Sequence, residues 1–393
     1  RLVSDWSSDV CSSDPPKSDE KDVGEGLLKF LEDESKEIVP LPKVLSEINS
    51  TSRFLDCFTH FAQKGQKGRP TNKAFYAAII AIGCNIGVGR MAKISEGISI
   101  DNLNHLVKWY FSKENLDAAN SKINSVIDEM SLPKIYKSKN EENHTSSDGQ
   151  KFSVVVPSII ANHSFKYFGS GKGVTAYSFI DESNRLFYNT VISSSEREAA
   201  YVIDGLMHNE DVESSIHSTD THGYSEIIFA ITNGIGVFFA PRIKNFKNQL
   251  RYTFRENPKR LYEKKNFKVL PTALKYIDPV IIREQWDNYL RLLVTIKLRE
   301  ITASRLLKRL SSYSKQHPLY RALKQNGRIF KTYFLLKFID DIDLRKSTEK
   351  ALNRIEKSHQ FAKAIYFWNN QEMKVGTKEE QEIAVATRHL IQN

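Results

Sequence analysis

The sequence predicts an α/β fold: a mixed sheet interrupted by a helical insertion and preceded by an all-helical region. Three observations carry that prediction. Short β-branched and aromatic runs cluster between residues 151 and 193, with turn residues between them. Strand-like and helix-like segments then alternate as far as residue 243. Apolar residues recur at helical spacing on either side, over 26–130 and 279–370. At 393 residues the chain is also too long for one ordinary domain.

In chain order, residues 1–25 stand apart. "RLVSDWSSDVCSSD" (1–14) looks like a translated sequencing adapter, and "PPKSDEKDVGE" (15–25) is a polar, proline-led linker. Both are expected to be disordered and outside the native fold. The chain begins with Arg1, and "ATRHLIQN" stops within a helical pattern, so a fragment at both ends is expected. An all-helical domain is expected over 26–131, with helix starts at "PTNKAF" and "SIDNLNHL". Within it "AFYAAIIAIGCNIGVG" (74–89) reads as a buried core helix; Gly83, Asn85 and Gly87 interrupt it, and it is too short to span a membrane. Residues 131–150 read as a polar break.

The sheet follows. "KFSVVVPSII", "GVTAYSFID" and "RLFYNTVIS" read as consecutive strands. "SEREAAYVIDGLMHN" (195–209) is a helix with a Ser cap and early acids. "SSIHST" is a short strand, "HGYSEIIFAITN" a helix and "IGVFFAPRI" another strand. Helices return in "PVIIREQWDNYLRLLVTIKLRE", "PLYRALKQNGRIFKTYFLLKFI" and "STEKALNRIEKSHQFAKAIYFW". "FGSGKGV" (168–174) misses the spacing of a phosphate loop and reads as a turn.

Composition narrows the function classes. A net charge of +10 favours a polyanionic partner, most simply nucleic acid. Cys11, Cys57 and Cys84 are odd in number and far apart, with no CxxC or Cys/His cluster. That argues against structural zinc and a disulfide framework, and fits a reducing, cytoplasmic setting. No Ser/His/Asp arrangement, Rossmann glycine fingerprint or HExxH motif is visible.

Three carboxylates stand out by context. Asp148 lies just before the first confident strand, where Asp-Gly is also a hairpin turn signal. Asp220 follows a short strand, where it or Thr221 could cap the next helix. Glu356 borders the apolar stripe Leu352, Ile355, His359 and Ala362, a position that suits a solvated helix face equally well. Taken together, two Asp at strand ends and a later helical Glu are what a two-metal phosphoryl-transfer site requires. A ribonuclease-H-like sheet delivers such residues from two strands and one helix.

Six motifs then occur in a telling order: "SSDGQKFSV", "KYFGSGKGVTAYSFIDE", "STDTHGYSEIIFAITNGIGVFFAPRIKN", "REQWDNYLRL", "NGRIFKTYFLLKFI" and "ALNRIEKSHQFAKAIYF". The chain resembles the Tn-three family of replicative transposases from about residue 26 to its end, most strongly over 146–369. The resemblance implies a DDE transposase of a bacterial mobile element, with Asp148, Asp220 and Glu356 as its catalytic, metal-binding residues. It implies two Mg²⁺ ions, with Mn²⁺ able to substitute. It also implies cleavage and strand transfer of DNA at terminal inverted repeats and at a target, by a homodimer and with no membrane involved. The catalytic core is expected over 146–244 and 346–393. The gap between Asp220 and Glu356 is too long for a structureless loop, so a helical insertion is expected over 245–345. A truncated, catalytically inactive DNA-binding derivative is the alternative, and a nuclease of the same fold a third.

Basic residues complete the reading. The segment 242–268 interleaves cations with Phe246, Tyr252, Phe254, Tyr262 and Phe267. Its expected phosphate contacts are Arg242, Lys244, Lys247, Arg251, Arg255, Lys259 and Arg260, with the aromatics free to stack on bases. "KGQKGRP" (64–70) is a second basic loop. His222 and His359, near Asp220 and Glu356, are candidates to orient a phosphate or a water.

Overall fold

The computed structural model describes residues 39–62, 68–137, 142–209, 211–254, 274–312 and 317–393. The expected leader and linker, residues 1–25, lie outside the described residues.

The first region is helical: α1 (Leu41–Ser52), α2 (Asn72–Gly83), α3 (Val88–Ile94), α4 (Ile100–Tyr110) and α5 (Lys113–Glu129). Both expected helix starts are capped. The Thr71 side chain accepts from the Ala74 amide and Ser99 from the Asn102 amide, so each satisfies an end group that the helix itself cannot. Phe75, Ala78, Ile79 and Ala81 of α2 are fully buried.

The sheet contains β1 (His144–Ser153), β2 (Asn162–His163), β3 (Lys172–Ile180), β4 (Leu186–Ser193), β5 (Ile216–Thr219) and β6 (Phe238–Phe239). Its order is β2-β3-β1-β5-β6, with β4 also paired to β3. β1 runs antiparallel to β3 and parallel to β5, which in turn is parallel to β6. Between strands lie α6 (Ala199–Met207) and α7 (Glu226–Ile235).

Three expectations need correction. β1 starts at His144, inside the supposed polar break, so Asp148-Gly149 is mid-strand and not a turn; Asp148 faces Ser178 and Gly149 faces Tyr177 across the β1–β3 ladder. The same strand ends at Ser153, leaving only Val154 of the following "VVV" run bridged, to Met373. The region 245–345 is not purely helical, because Arg251–Thr253 (β7) and Leu274–Tyr276 (β8) pair in parallel.

The remaining helices are α8 (Pro279–Glu284), α9 (Trp286–Lys297), α10 (Ala303–Ser311), α11 (Pro318–Asp340), α12 (Ile342–Ile365) and α13 (Lys378–Gln392). They cover the sheet from both sides. Tyr177 and Phe179 of β3 share the largest core with Phe229 of α7, Leu292 of α9, Leu307 of α10 and Phe334 of α11. α11 crosses close to the start of α7 at Gly327, where a Cβ would overlap the Glu226 carbonyl. On the opposite face Val174 and Ala176 of β3 and Val191 of β4 pack on Tyr366 and Val385. α13 is shared between regions: Ala386 and Leu390 sit in the core of the helical region, while His389 Nε2 bonds Ser178 Oγ at 3.0 Å. Among the described residues, no helix is long and apolar enough to cross a membrane.

Candidate active site

β1 is a buried strand made of polar residues. Thr145, Ser146 and Ser147 have no exposed surface, which is sustainable only if their hydroxyls are bonded. They are. Thr145 Oγ1 lies 2.8 Å from His217 Nδ1, and Ser147 Oγ lies 2.8 Å from both His217 Nε2 and the Tyr177 hydroxyl. Ser146 Oγ donates to the Ala351 carbonyl at 2.7 Å, which ties the other face of β1 to α12. The two-residue alternation puts Asp148 on that α12 face.

Asp148, Asp220 and His359 line one open cleft of about 840 Å³ with Lys151, Arg197 and Glu198. Asp148 keeps 24% of its side chain exposed, and His359 Nδ1 stands 3.5 Å from its Oδ2. Burial first, then the charge of Glu198, with Asp220 and Glu356 adding less, raise the Asp148 carboxyl to about 7; a hydrogen bond from the Gly149 N–H works the other way. His359 is pushed down to about 3, mainly by burial and then by Arg388 and Lys363, so it is neutral at pH 7 and does not form a true ion pair with Asp148.

Asp220 directly follows Thr219, the last residue of β5, which pairs with Ser147 at the end of the parallel ladder, so both aspartates come just after the final pair. Its side chain caps nothing: the short 3₁₀ turn Thr221–Gly223 that follows takes no hydrogen bond from it, and α7 begins only at Glu226. Thr221 does not cap α7 either, because Ser225 occupies that cap position; the Thr221 hydroxyl donates to the Arg242 carbonyl at 3.3 Å. Capping therefore does not explain the aspartate.

Glu356 is placed differently. It projects from α12 with 55% of its side chain exposed, and Arg242 Nη1 approaches its Oε1 at 3.7 Å. Its neighbour Ile355 is fully buried with Ile180 and Leu186, which fixes that face of α12 on the sheet. Glu356 is not among the residues lining the cleft, although its charge reaches Asp148. Among the described residues no three His, Cys, Asp or Glu side chains stand close enough together to hold a metal ion as they are. The donor set still suits a hard dication: Asp148 and Asp220 open into one cleft, and a cation there would favour the ionised Asp148 that burial and neighbouring acids disfavour.

The comparisons decide the family. The profile of the Tn3 transposase DDE domain matches residues 43–393. The chain belongs to that family. It is 30% identical over 366 residues to the transposase for transposon Tn1546 of Enterococcus faecium, covering 92% of this chain and 36% of that protein. It is 31% identical over 334 residues to the transposase for transposon Tn2501 of Escherichia coli, covering 84% of this chain and 32% of the relative. Against the transposase for transposon gamma-delta of Escherichia coli strain K12 it is 29% identical over 358 residues, covering 90% and 35%. The chain thus spans about a third of the length of these relatives.

Within this DDE chain the basic segment divides. Arg242 is engaged with Glu356, Lys244 is exposed, and Arg251 opens β7. Arg255, Lys259 and Arg260 lie outside the described residues, as do the side chains of Lys247 and His222. The expectation of base-stacking aromatics fails at two positions. Tyr252 is 9% exposed, with its hydroxyl donating to Glu226 at 2.9 Å, and Phe246 packs on Phe338 with ring centroids 5.4 Å apart. In the "KGQKGRP" loop, Arg69 turns inward over the Phe75 ring. The cations that do face the cleft are Lys151, Arg197 and Lys363, which the sequence did not single out. Glu198 was read only as an early acid of a helix. It stands at the N-cap position of α6 with helical φ and ψ, and its side chain makes no capping bond.

Proposed function

We propose that this chain carries the phosphoryl-transfer centre of a replicative transposase, cleaving DNA at transposon ends and joining the 3′ ends to target DNA. One observation supports this most: Asp148 and Asp220 come from adjacent parallel strands and open into one cleft, in a chain of the DDE family. The strand order β4-β3-β1-β5-β6, with β4, β3 and β1 antiparallel and the rest parallel, supports a ribonuclease-H-like core. In this reading residues 146–244 and 346–393 form that core and 245–345 are the insertion.

Asp148 and Asp220 would hold divalent ions, two Mg²⁺ with Mn²⁺ as substitute, and Glu356 would complete the set by turning from Arg242. The ions would supply activation of the attacking oxygen and neutralisation of the leaving one. The protein does the rest. The Asp148 carboxyl beside His359 Nδ1, raised to about 7, gains and loses its proton near neutral pH, and a cation would favour its ionised form. His359, neutral and wedged beside it, positions the carboxylate. Lys151, Arg197 and Lys363 bind the phosphates that flank the reacting one. Arg242, released by Glu356, gains a phosphate to bind. DNA in the form of transposon ends and target, a homodimer on paired ends, and the bacterial cytoplasm are the partners and setting this reading supplies.

The test is Asp220→Asn in a strand-transfer assay with Mn²⁺ and a duplex ending in the transposon 3′ terminus. Strand transfer should be lost while DNA binding stays near that of the parent. Several kcal/mol of lost charge stabilisation correspond to a rate loss on the order of a thousandfold. Retained transfer by the variant would reject the metal role. A parent chain that binds DNA but transfers no strand would favour the inactive derivative.

A further inference from the structure

We propose that the helical turn Phe165–Phe168, at the mouth of the cleft, is a stacking lip for an unpaired base of DNA, with Tyr167 as the ring beneath the base. The inference rests on the DNA-cleaving reading above and names the form of DNA that the cleft takes. The lip belongs to the motif "KYFGSGKGV", which the chemistry of strand transfer leaves unused. It is a built feature. Phe168 is its anchor: a Cβ on Gly173 of β3 would overlap the Phe168 ring, so the strand leaves that space to the ring. Just before the turn, β2 pairs with the start of β3, and Asn162 Nδ2 donates to Ser193 Oγ at 2.6 Å. Gly169 then reverses the chain at a φ of 57°, its N–H donating to the Phe165 carbonyl at 3.1 Å.

With Phe168 as anchor, the other two rings are left in solvent. Phe165 is 89% exposed and Tyr167 45%, and Tyr167 lines the cleft together with Asp148. Neighbouring exposed rings beside a site mark a contact surface. Charge says what the contact is. From Gly149 to Ile180 the chain has no Asp or Glu, but it has Lys151, Lys166 and Lys172. The ammonium groups of Lys151 and Lys166 each stand 4.9 Å from the centre of the Tyr167 ring. An apolar protein segment would cover the rings and leave those cations unmet. A nucleotide answers both, since its phosphate meets the lysines and its base meets the ring. A base inside a duplex keeps its faces against its neighbours, so an unpaired one is what the ring can take.

The test is binding of this chain, by fluorescence anisotropy in EDTA, to a blunt DNA duplex and to the same duplex with a single-stranded thymidine tail. The parent should prefer the tailed duplex by roughly five- to a hundredfold, the range of one base–aromatic stack. Tyr167→Ala should abolish that preference with blunt-duplex binding little changed, whereas Tyr167→Phe should keep it. A 2-aminopurine in the tail should be quenched by the parent and by Tyr167→Phe but not by Tyr167→Ala, a signal that a merely structural tyrosine would not move. Lys166→Ala should lower the salt dependence by about one unit and leave the quench in place. A parent that binds both duplexes equally, or a Tyr167→Ala variant that keeps preference and quench, would overturn the proposal. Equal binding by a dimer that Phe165→Ala takes apart would assign the lip to a second copy of the chain instead. Should Tyr167→Ala fail to fold, Tyr167→Leu keeps the bulk without the ring, and parent-like quenching by it overturns the proposal. No divalent ion is present, so preference lost in Tyr167→Ala alongside strand transfer retained in Asp220→Asn would sustain the lip and reject the metal role.

Discussion

On one face of β1, Thr145 and Ser147 share His217 between them, and Tyr177 closes the set with 2.8 Å contacts throughout. On the other face Asp148 and Gln150 meet α12, and the buried atoms Gln150 Oε1 and His359 Nε2 find no partner among the described residues. Behind them Arg388, fully buried, lies over the Phe152 ring at 4.7 Å with Nε and Nη1 also lacking partners. Each unsatisfied buried group costs about 1–3 kcal/mol. One strand therefore solves polar burial completely on its first face and leaves donors and acceptors over on its second. The closed face is built to hold the sheet together. The second opens into the cleft, where leftover polar groups can serve a ligand that the chain does not itself provide.

The largest effect should separate the two faces by stability. His217→Ala removes the partner of two buried hydroxyls and empties space against Phe179, whose ring stacks on the imidazole at 5.6 Å. A loss of about 3–5 kcal/mol is expected from two orphaned groups and a cavity. His359→Ala breaks no such network and should cost less than half as much. Denaturant unfolding of the two variants measures the difference. Equal losses would break the contrast.

A smaller effect sharpens it through pH. Asp148 has a folded-state pKa of about 7, raised by burial and by Glu198, while an unfolded aspartate titrates near 4. The folded state then binds a proton that the unfolded state has already lost, so stability falls as pH rises from about 4 to about 7. Asp148→Asn removes this dependence and should make the metal-free protein more stable than the parent at pH 8, with little difference at pH 4. Thermal melts at the two pH values check it. Parallel curves for parent and variant would mean that the open face is not strained by its acids.

The same contrast explains how much was legible beforehand. β3 and β4 announced themselves, because "VTAYSF" and "LFYNTVI" carry the branched and aromatic side chains that fill a core, and both were read nearly to their ends. α2 and α4 were legible from their caps at Thr71 and Ser99. β1 was missed over "HTSSDGQ" because its burial rests on hydroxyl and imidazole bonds to residues about 70 positions away, such as His217, and no local pattern encodes those. Asp148 and Asp220 were singled out through motif order, and they share the cleft. Glu356 was singled out too, but it stands outside the cleft lining, and its pairing with Arg242 was invisible because it depends on how α12 meets the segment after β6. Glu198 escaped because an acid at a helix start has a ready local explanation. Phe246 and Tyr252 were misjudged because an aromatic between cations looks the same whether it packs inward or faces a base.

Locating Mn²⁺ through its anomalous scattering in crystals of this chain shows whether the open face of β1 is a metal-dependent centre. Ions should be held by the carboxylates of Asp148 and Asp220, roughly 3.5–4 Å apart when two are bound, with Glu356 swung from Arg242 towards them. Manganese bound elsewhere, with the Asp148 and Asp220 carboxylates free of metal at saturating concentration, would contradict it.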